Sequence, residues 1–505
     1  MQTNIGLFLD KRARLEPNKV GLIFEGREIT FAQWNERANR AANALIALGV
    51  KPGDRVGLLM TNSVEFLECF FGLARIGAIV VPLNWRLAPP EIASLANDAG
   101  LGLLIYDSEF LPAVDAARGD LRVKSCIVVG AKVGADDGSY AELLEQASTD
   151  QAPTAGGGDD PLVIMFTSGT TGRQKGAVLT HNNLFYDACT VSHSLDWRTT
   201  DRVLVAMPLF HIGALIYTVI DVHIGSTTVL MRAFDPGAYL KTVQEHQVTS
   251  LLAVPAMLSF MLQSPAFKDA DLSSVRCVLC GAAPVPVPLI QAWAQRGIAI
   301  QQVYGLTECA GGAAVLGPQR AIEKVGSTGL AMFHTDIRVL NDQGDDVGVG
   351  EVGEIAIRGP HVMREYWNNP QATAETVKNG WLYTGDLGRF DKEGYLYIVE
   401  RKKDMIISGG ENIYPAEIES VLSGLAQIAE VAVIGVADRD WGEAVCAVAR
   451  LKEGQALTLD QVAAHCAGKL GKYKIPKKLV ITDVPLPRSP VGKVLKQVLR
   501  TQVVA

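Results

Sequence analysis

The 505-residue chain is 48% hydrophobic, 20% charged and 7% aromatic, and carries a formal net charge of -7. This length exceeds one hydrophobic core, so at least two domains are expected, and the composition excludes a disordered or fibrous chain. Net acidity argues against a nucleic-acid partner, and eight cysteines without framework spacing point to reduced thiols in the cytoplasm rather than a disulfide-stapled secreted domain.

The first ten residues, MQTNIGLFLD, lack the basic start and long apolar core of a signal peptide. Thr30 and Gln33 form a capping box for a helix expected to run to about Ala47. Its positions Phe31, Trp34, Ala38, Ala41, Leu45 and Leu48 share one face, and Gly49 stands near its end. A strand at 56–60, a helix at 64–76, a strand at 78–81, a helix after Pro90 and a strand at 103–106 follow. The alternation predicts parallel βαβ units with helices on the sheet faces. Residues 151–160, QAPTAGGGDD, read as a solvent-exposed connection.

An apolar run, Leu162 to Phe166, then feeds the loop TSGTTGRQKG at 167–176. Glycine lets backbone N–H groups approach an anion, the hydroxyls of Thr167, Ser168, Thr170 and Thr171 add donors, and Lys175 adds positive charge. Gly169 and Gly172 supply the close approach, and the loop reads as a polyphosphate cradle. It is not a Walker A loop, because Gln174 falls where that pattern needs glycine. Composition alone would also permit a Ser/Thr/Gly linker.

The most apolar long stretch, 203–222, is interrupted by Pro208, His211 and Asp221, so no membrane span is expected. Cys277 and Cys280 form a lone C-x-x-C on a predicted strand and read as buried small hydrophobes rather than metal ligands. Alternation continues to about residue 305. From Thr335, short strands at 336–340 and 354–358 joined by Gly/Asp turns suggest a small β subdomain. Beyond Arg401 a further domain is expected, with strands at 431–436 and 445–450 and a helix near 459–470. That part is basic, with 15 Lys/Arg against 11 Asp/Glu over 401–505.

Further segments fall in a fixed order: MPLFHIG at 207–213, GAAP at 281–284, YGLTE at 304–308, WLYTGD at 381–386, RKKDMIISGGENIYPAEIE at 401–419, and PVGK at 490–493. With the glycine-rich loop they resemble the adenylate-forming superfamily of acyl-CoA synthetases, carrier-loading adenylation domains and luciferases, over nearly the whole chain. The resemblance implies an α/β protein. A large N-terminal adenylating domain (1–402), with βαβ-built sheets and a small β subdomain, would carry a small mobile α+β C-terminal domain (403–505).

The chemistry of each segment suits such an enzyme. Tyr304 offers a flat face to a purine opposite a small-residue wall of Gly281, Ala282 and Ala283, although a core tyrosine would look the same. Thr307 can bond phosphate, and Glu308 is a hard oxygen ligand for magnesium carried on ATP. Asp386 can accept from vicinal ribose hydroxyls, and Arg401 resembles the family residue on the same ribose. Lys493, set on a loop by prolines and Gly492, would stabilise the charge that develops as a carboxylate displaces pyrophosphate; taken alone it would read as a surface lysine. The resemblance further implies a hinge at Lys403. Rotation there would bring in Ser408, Gly409 and Gly410 beside the pantetheine arm of coenzyme A; a plain β-turn is the alternative reading of the two glycines.

The substrate position is read from what is missing. His211, after Phe210, supplies no fixed negative charge for an amino-acid amine. Gly305 stands where acetate-type members close the pocket with tryptophan, which would leave space for a longer or wider acid, and Ile224-Gly225-Ser226 lacks the arginine of malonate-type members. Ile212, Gly213 and their neighbours are apolar. The expectation is an ATP- and magnesium-dependent acid–CoA ligase for a medium or longer fatty acid or an aryl or cyclic monocarboxylic acid. The alternatives are transfer to a carrier protein and a catalytically silent nucleotide-binding regulator. No nucleic-acid or integral-membrane partner is expected, and a homodimer follows from base rates.

Overall fold

The computed structural model describes residues 3–131, 137–167, 174–283, 285–408, 411–439, 441–467, 469–489 and 492–504. The expected capping box forms: Thr30 Oγ1 accepts from the Gln33 amide, and Gln33 returns a bond to the Thr30 amide, opening the helix Phe31–Ala47. The next helix, Val64–Ile76, is capped by Ser63 and is buried on almost every face, as a helix without a polar stripe must be. The two pack so closely that a Cβ on Gly72 would stand 2.9 Å from the Ala38 carbonyl oxygen.

Among the described residues an eight-stranded sheet runs in the order Glu365–Tyr366, Lys175–Thr180, Pro161–Thr167, Ile79–Pro82, Arg55–Leu59, Leu103–Asp107, Ser125–Val129, Gly138–Ser139. A nine-stranded sheet has Ile300–Tyr304, Cys277–Cys280, Ser250–Ala253, Arg202–Val205, Thr227–Leu230 and Val20–Phe24 as its parallel centre. One apolar core joins both sheets through Leu58, Leu162, Leu252 and Leu279 with the helices Val64–Ile76 and Ile212–Ile224, so those helices form the layer between them. Cys277 and Cys280 are buried free thiols that point to opposite faces of one strand, into two different cores.

A small sheet follows, with Asp336–Leu340, Gly353–Arg358 and Trp381–Phe390 paired antiparallel and Leu396–Arg401 added to the last. The C-terminal domain has its own sheet. Its long hairpin Ile428–Asp438 and Gly442–Leu451 buries Val433 against Ile418 and Leu422 on one face, and Ile434 against Leu486 and Leu499 on the other. The chain is thus a two-domain α/β protein. No helix among the described residues is long and apolar enough to cross a membrane.

Two expectations need correction. Residues 151–160 are a solvent-exposed connection only in part: Ala152, Gly157 and Gly158 are buried, and the Ala155 amide donates to Arg75 O, Gly158 to Thr3 O and Ala152 to Asn39 Oδ1, so this stretch is strapped to the core. The helix expected to reach 470 is Leu459–Cys466, where Ala467 turns extended and the Leu470 amide bonds back to Cys466 O.

Candidate active site

Pro161–Thr167 and Lys175–Thr180 pair antiparallel with Thr167 opposite Lys175, so the loop between them returns to its starting point. Ser168, Gly169, Thr170, Thr171 and Gly172 lie outside the described residues. The edge strand Glu365–Tyr366 brings Tyr366 alongside, with Lys175 Nζ 5.1 Å from its ring centroid. Tyr366 OH donates to Glu308 Oε1 at 2.7 Å, and Thr167 Oγ1 is 3.4 Å from the same oxygen. Glu308 sits buried in the single turn Thr307–Cys309 that follows the strand Ile300–Tyr304. Its Oε2 accepts no hydrogen bond from the described residues, which suits a single hard ligand to a magnesium ion whose remaining shell is phosphate and water. No group of three metal-ligating side chains occurs among the described residues.

The parallel neighbours Cys277–Cys280 and Ile300–Tyr304 end together, which sets Gly281, Ala282 and Ala283 beside Tyr304 at the carboxyl ends of the strands, where open α/β sheets bind ligands. A Cβ on Gly281 would stand 2.8 Å from Val303 O, so only glycine fits. Tyr304 is buried, and its hydroxyl donates to Asp386 Oδ2 at 2.8 Å. Arg401 Nε stands 2.6 Å from Asp386 Oδ1. Each carboxylate oxygen keeps a second lone pair, so Asp386 can still accept from two vicinal hydroxyls.

Lys493 is held in a tight turn. The Ser489 amide donates to Lys493 O at 2.7 Å, the Gly492 amide to Ser489 O at 2.8 Å, and Arg488 Nη1 to Gly492 O at 2.8 Å. Gly492 has φ +79°, and a Cβ there would touch Val254 and Ala256 of the large domain at 3.8 and 3.9 Å, so the turn is docked across the domain boundary. The half-buried Lys493 ammonium is pushed down to about 8, first by burial and then by Arg401, while Asp386 and Glu308 pull it the other way. His211 is pushed down to about 3 by burial, then by Arg86 and Lys493, so it stands in the same cluster as a neutral imidazole. The structure therefore gathers Glu308, Asp386, Arg401, His211 and Lys493 around one site.

Two regions of the chain match known families: residues 9–367 match the AMP-binding enzyme family, and residues 417–493 match the AMP-binding enzyme C-terminal domain. The chain belongs to the AMP-binding enzymes. It is 42% identical to the long-chain-fatty-acid–CoA ligase of Mycobacterium tuberculosis, over 99% of this chain and 98% of that protein. It is 41% identical to the feruloyl-CoA synthase of Amycolatopsis sp, over 98% of each. A solved structure of o-succinylbenzoate CoA synthetase from Bacillus subtilis, in complex with the acyl-adenylate intermediate, superposes with TM-score 0.88 at 34% identity, covering 99% of this chain and 98% of that one. This AMP-binding enzyme stands in the acyl-CoA synthetase branch of the adenylate-forming superfamily.

The acyl side of the enzyme departs from the sequence reading at one point. Gly213, at the start of the helix Ile212–Ile224, faces open space. Gly305 does not open room merely by lacking a side chain, because a Cβ there would overlap the Gly311 carbonyl oxygen. Glycine is required there by the backbone path itself. Ser408 is buried on a strand and pairs with Glu411 and Gly442 within the C-terminal sheet; Gly409 and Gly410 lie outside the described residues.

Several partners in this site were not visible in sequence. Tyr366 is an ordinary strand residue until the edge pairing brings it to Glu308. Trp85, edge-on to Phe210 and under the Arg86 guanidinium, extends the wall near His211. Glu430 binds Arg450 and Arg488 at 2.8 and 2.9 Å and so steadies the Lys493 turn.

Proposed function

We propose that this enzyme is an ATP-dependent acid–CoA ligase acting on a monocarboxylic acid with a largely apolar body, fatty or aryl. The observation that carries the reading is the convergence of Lys493, from the C-terminal domain, on Asp386, Arg401 and Glu308 of the large domain. A carboxylate oxygen attacks the α-phosphorus of ATP, a P–O bond forms, and the bond to the departing pyrophosphate breaks. Lys493 and Thr307 meet the charge that spreads over the phosphoryl oxygens. Asp386 and Arg401 hold the ribose, Tyr304 and Gly281 to Ala283 flank the base, and Lys175 with Thr167 and the loop at 168–172 holds the outer phosphates. Magnesium, held through Glu308, neutralises polyphosphate charge when bound. The second half-reaction forms the thioester: the thiolate of coenzyme A attacks the acyl carbon and AMP leaves.

Lys403 is our candidate for the pivot between the two half-reactions, and with it the division into 1–402 and 403–505. Lys402 Nζ bonds Asp342 and Glu354 of the large domain at 3.2 and 3.0 Å. Asp404 instead pairs with Arg500 of the C-terminal domain at 3.3 Å. The side-chain partners thus change domain between residues 402 and 404, which supports a pivot at Lys403. Rotation there would withdraw Lys493 and present the loop of Ser408, Gly409 and Gly410 to the pantetheine arm.

Mass spectrometry of reactions with ATP, coenzyme A and a panel of fatty and aryl acids tests the proposal. The expected products are AMP, pyrophosphate and the acyl-CoA, with turnover dependent on coenzyme A. Accumulation of acyl-adenylate that coenzyme A never discharges would replace it with transfer to a carrier protein.

A further inference from the structure

Asp187 is fully buried on the helix His181–Ser194, in line with the apolar Leu184, Ala188 and Val191. A carboxyl group on a core-facing stripe carries a desolvation cost unless both oxygens are bonded. Only one is: the Gly312 amide donates to Oδ1 at 3.2 Å, and Oδ2 has no hydrogen-bond partner among the described residues. No group of opposite charge among the described residues offsets it, and burial pushes its carboxyl well above the usual range, against the pull of that one amide.

The direction of the unpaired oxygen is given by Gly311. A Cβ on Gly311 would stand 3.3 Å from Ile216 Cγ2, 3.5 Å from Asp187 Oδ2 and 3.9 Å from Ile212 Cγ1. Ile212 and Ile216 belong to the helix whose first turn carries Gly213 into open space beside His211, and the Gly311 carbonyl lies against Gly305. Gly311 is therefore the point where the acyl side of the site meets Asp187, and it has no side chain to cover the carboxyl.

We infer that Asp187 Oδ2 is a specificity determinant at the far wall of the acyl pocket, selecting acids that carry a hydroxyl group on their body. The inference rests on the acid–CoA ligase reading. A hydroxyl suits the site because it can both donate and accept, so it pairs with the carboxyl in either protonation state. A site built to bond a substrate hydroxyl rejects the analogue without it, since the buried oxygen is then left unpaired.

The test compares kcat/KM for acid-dependent pyrophosphate release between matched acids: ω-hydroxy fatty acids of increasing length and para-hydroxylated arylpropanoic acids, each beside its unsubstituted parent. We expect the wild-type chain to prefer at least one hydroxylated member by about tenfold or more, the scale of one buried hydrogen bond. Asp187→Asn, which keeps an acceptor for the Gly312 amide and presents a donor, should retain most of that preference. Asp187→Leu should lose or reverse it while still turning over the parent acid. Equal or better turnover of every parent acid by the wild-type chain overturns the inference and leaves the ligase reading standing; this arm needs no variant to fold. Persistence of the preference in Asp187→Leu also overturns it. Absence of pyrophosphate release with any acid overturns the ligase reading and this inference with it.

Discussion

Arg401 and Asp386 face each other across antiparallel strands, and the same pair closes an ion pair at 2.6 Å. Cross-strand register thus delivers an arginine and a carboxylate to one spot, while Tyr304 holds the other carboxylate oxygen from the neighbouring sheet. Arg401→Lys keeps the charge but loses the planar fork and shortens the reach. We expect AMP and ATP to bind about tenfold more weakly, measured by calorimetry, with the melting temperature little changed. Unchanged nucleotide affinity would detach this pair from the ribose.

Lys493 carries the pH prediction. Its ammonium is pushed down to about 8 from 10.5, so it is charged below that pH and neutral above it. Adenylation needs the charged form, so kcat/KM for ATP should fall as pH rises through about 8, because this parameter reports the free enzyme. Lys493→Arg, which stays charged, should lack that limb even if slower. Lys493→Ala should lose adenylation by about a hundredfold or more and still convert synthetic acyl-adenylate to thioester in a coenzyme A assay.

The domain boundary has its own tether. Glu400 Oε2 accepts from the Ala416 amide at 2.8 Å and lies 3.6 Å from Lys496 Nζ, so a large-domain carboxylate grips the C-terminal domain in this arrangement. Glu400→Ala should slow adenylation several-fold and leave thioester formation from acyl-adenylate unchanged. Lys403→Pro should do the opposite, keeping adenylation and losing thioester formation, because a fixed φ blocks the hinge. Separate single-turnover measurements of the two steps distinguish them.

Tyr366→Phe removes one hydrogen bond to Glu308 and leaves the ring beneath Lys175. A loss of about 1 kcal/mol is expected, read as a roughly five-fold rise in KM for magnesium-ATP with kcat nearly constant. A larger fall in kcat would place the hydroxyl in the chemical step.

Local signals carried much of the fold. The Thr30 and Gln33 box and the Ser63-capped helix Val64–Ile76 could be placed because side-chain caps and apolar periodicity act over a few residues. Tyr304, Asp386, Arg401 and Lys493 stood out only because their short motifs, each weak alone, resemble a family when taken in order; the contacts of Asp386 with Tyr304 and Arg401 depend on sheet register. What escaped depends on distant pairing: Tyr366 meets Glu308 through an edge strand, Asp187 meets Gly312 across a helix and a loop, and residues 151–160 are strapped by Thr3 and Arg75. Gly305 was misread for the same reason, since its obstacle is a backbone carbonyl six residues later that no local pattern reveals.

The central claim is that the acid's own oxygen attacks the α-phosphorus of ATP beneath Lys493. Carboxyl-labelled oxygen-18 acid, turned over with ATP and coenzyme A, tests it directly by mass spectrometry of the nucleotide product. The account predicts one labelled oxygen in the phosphate of AMP and none in pyrophosphate. Unlabelled AMP, or label released in inorganic phosphate beside ADP, would contradict it.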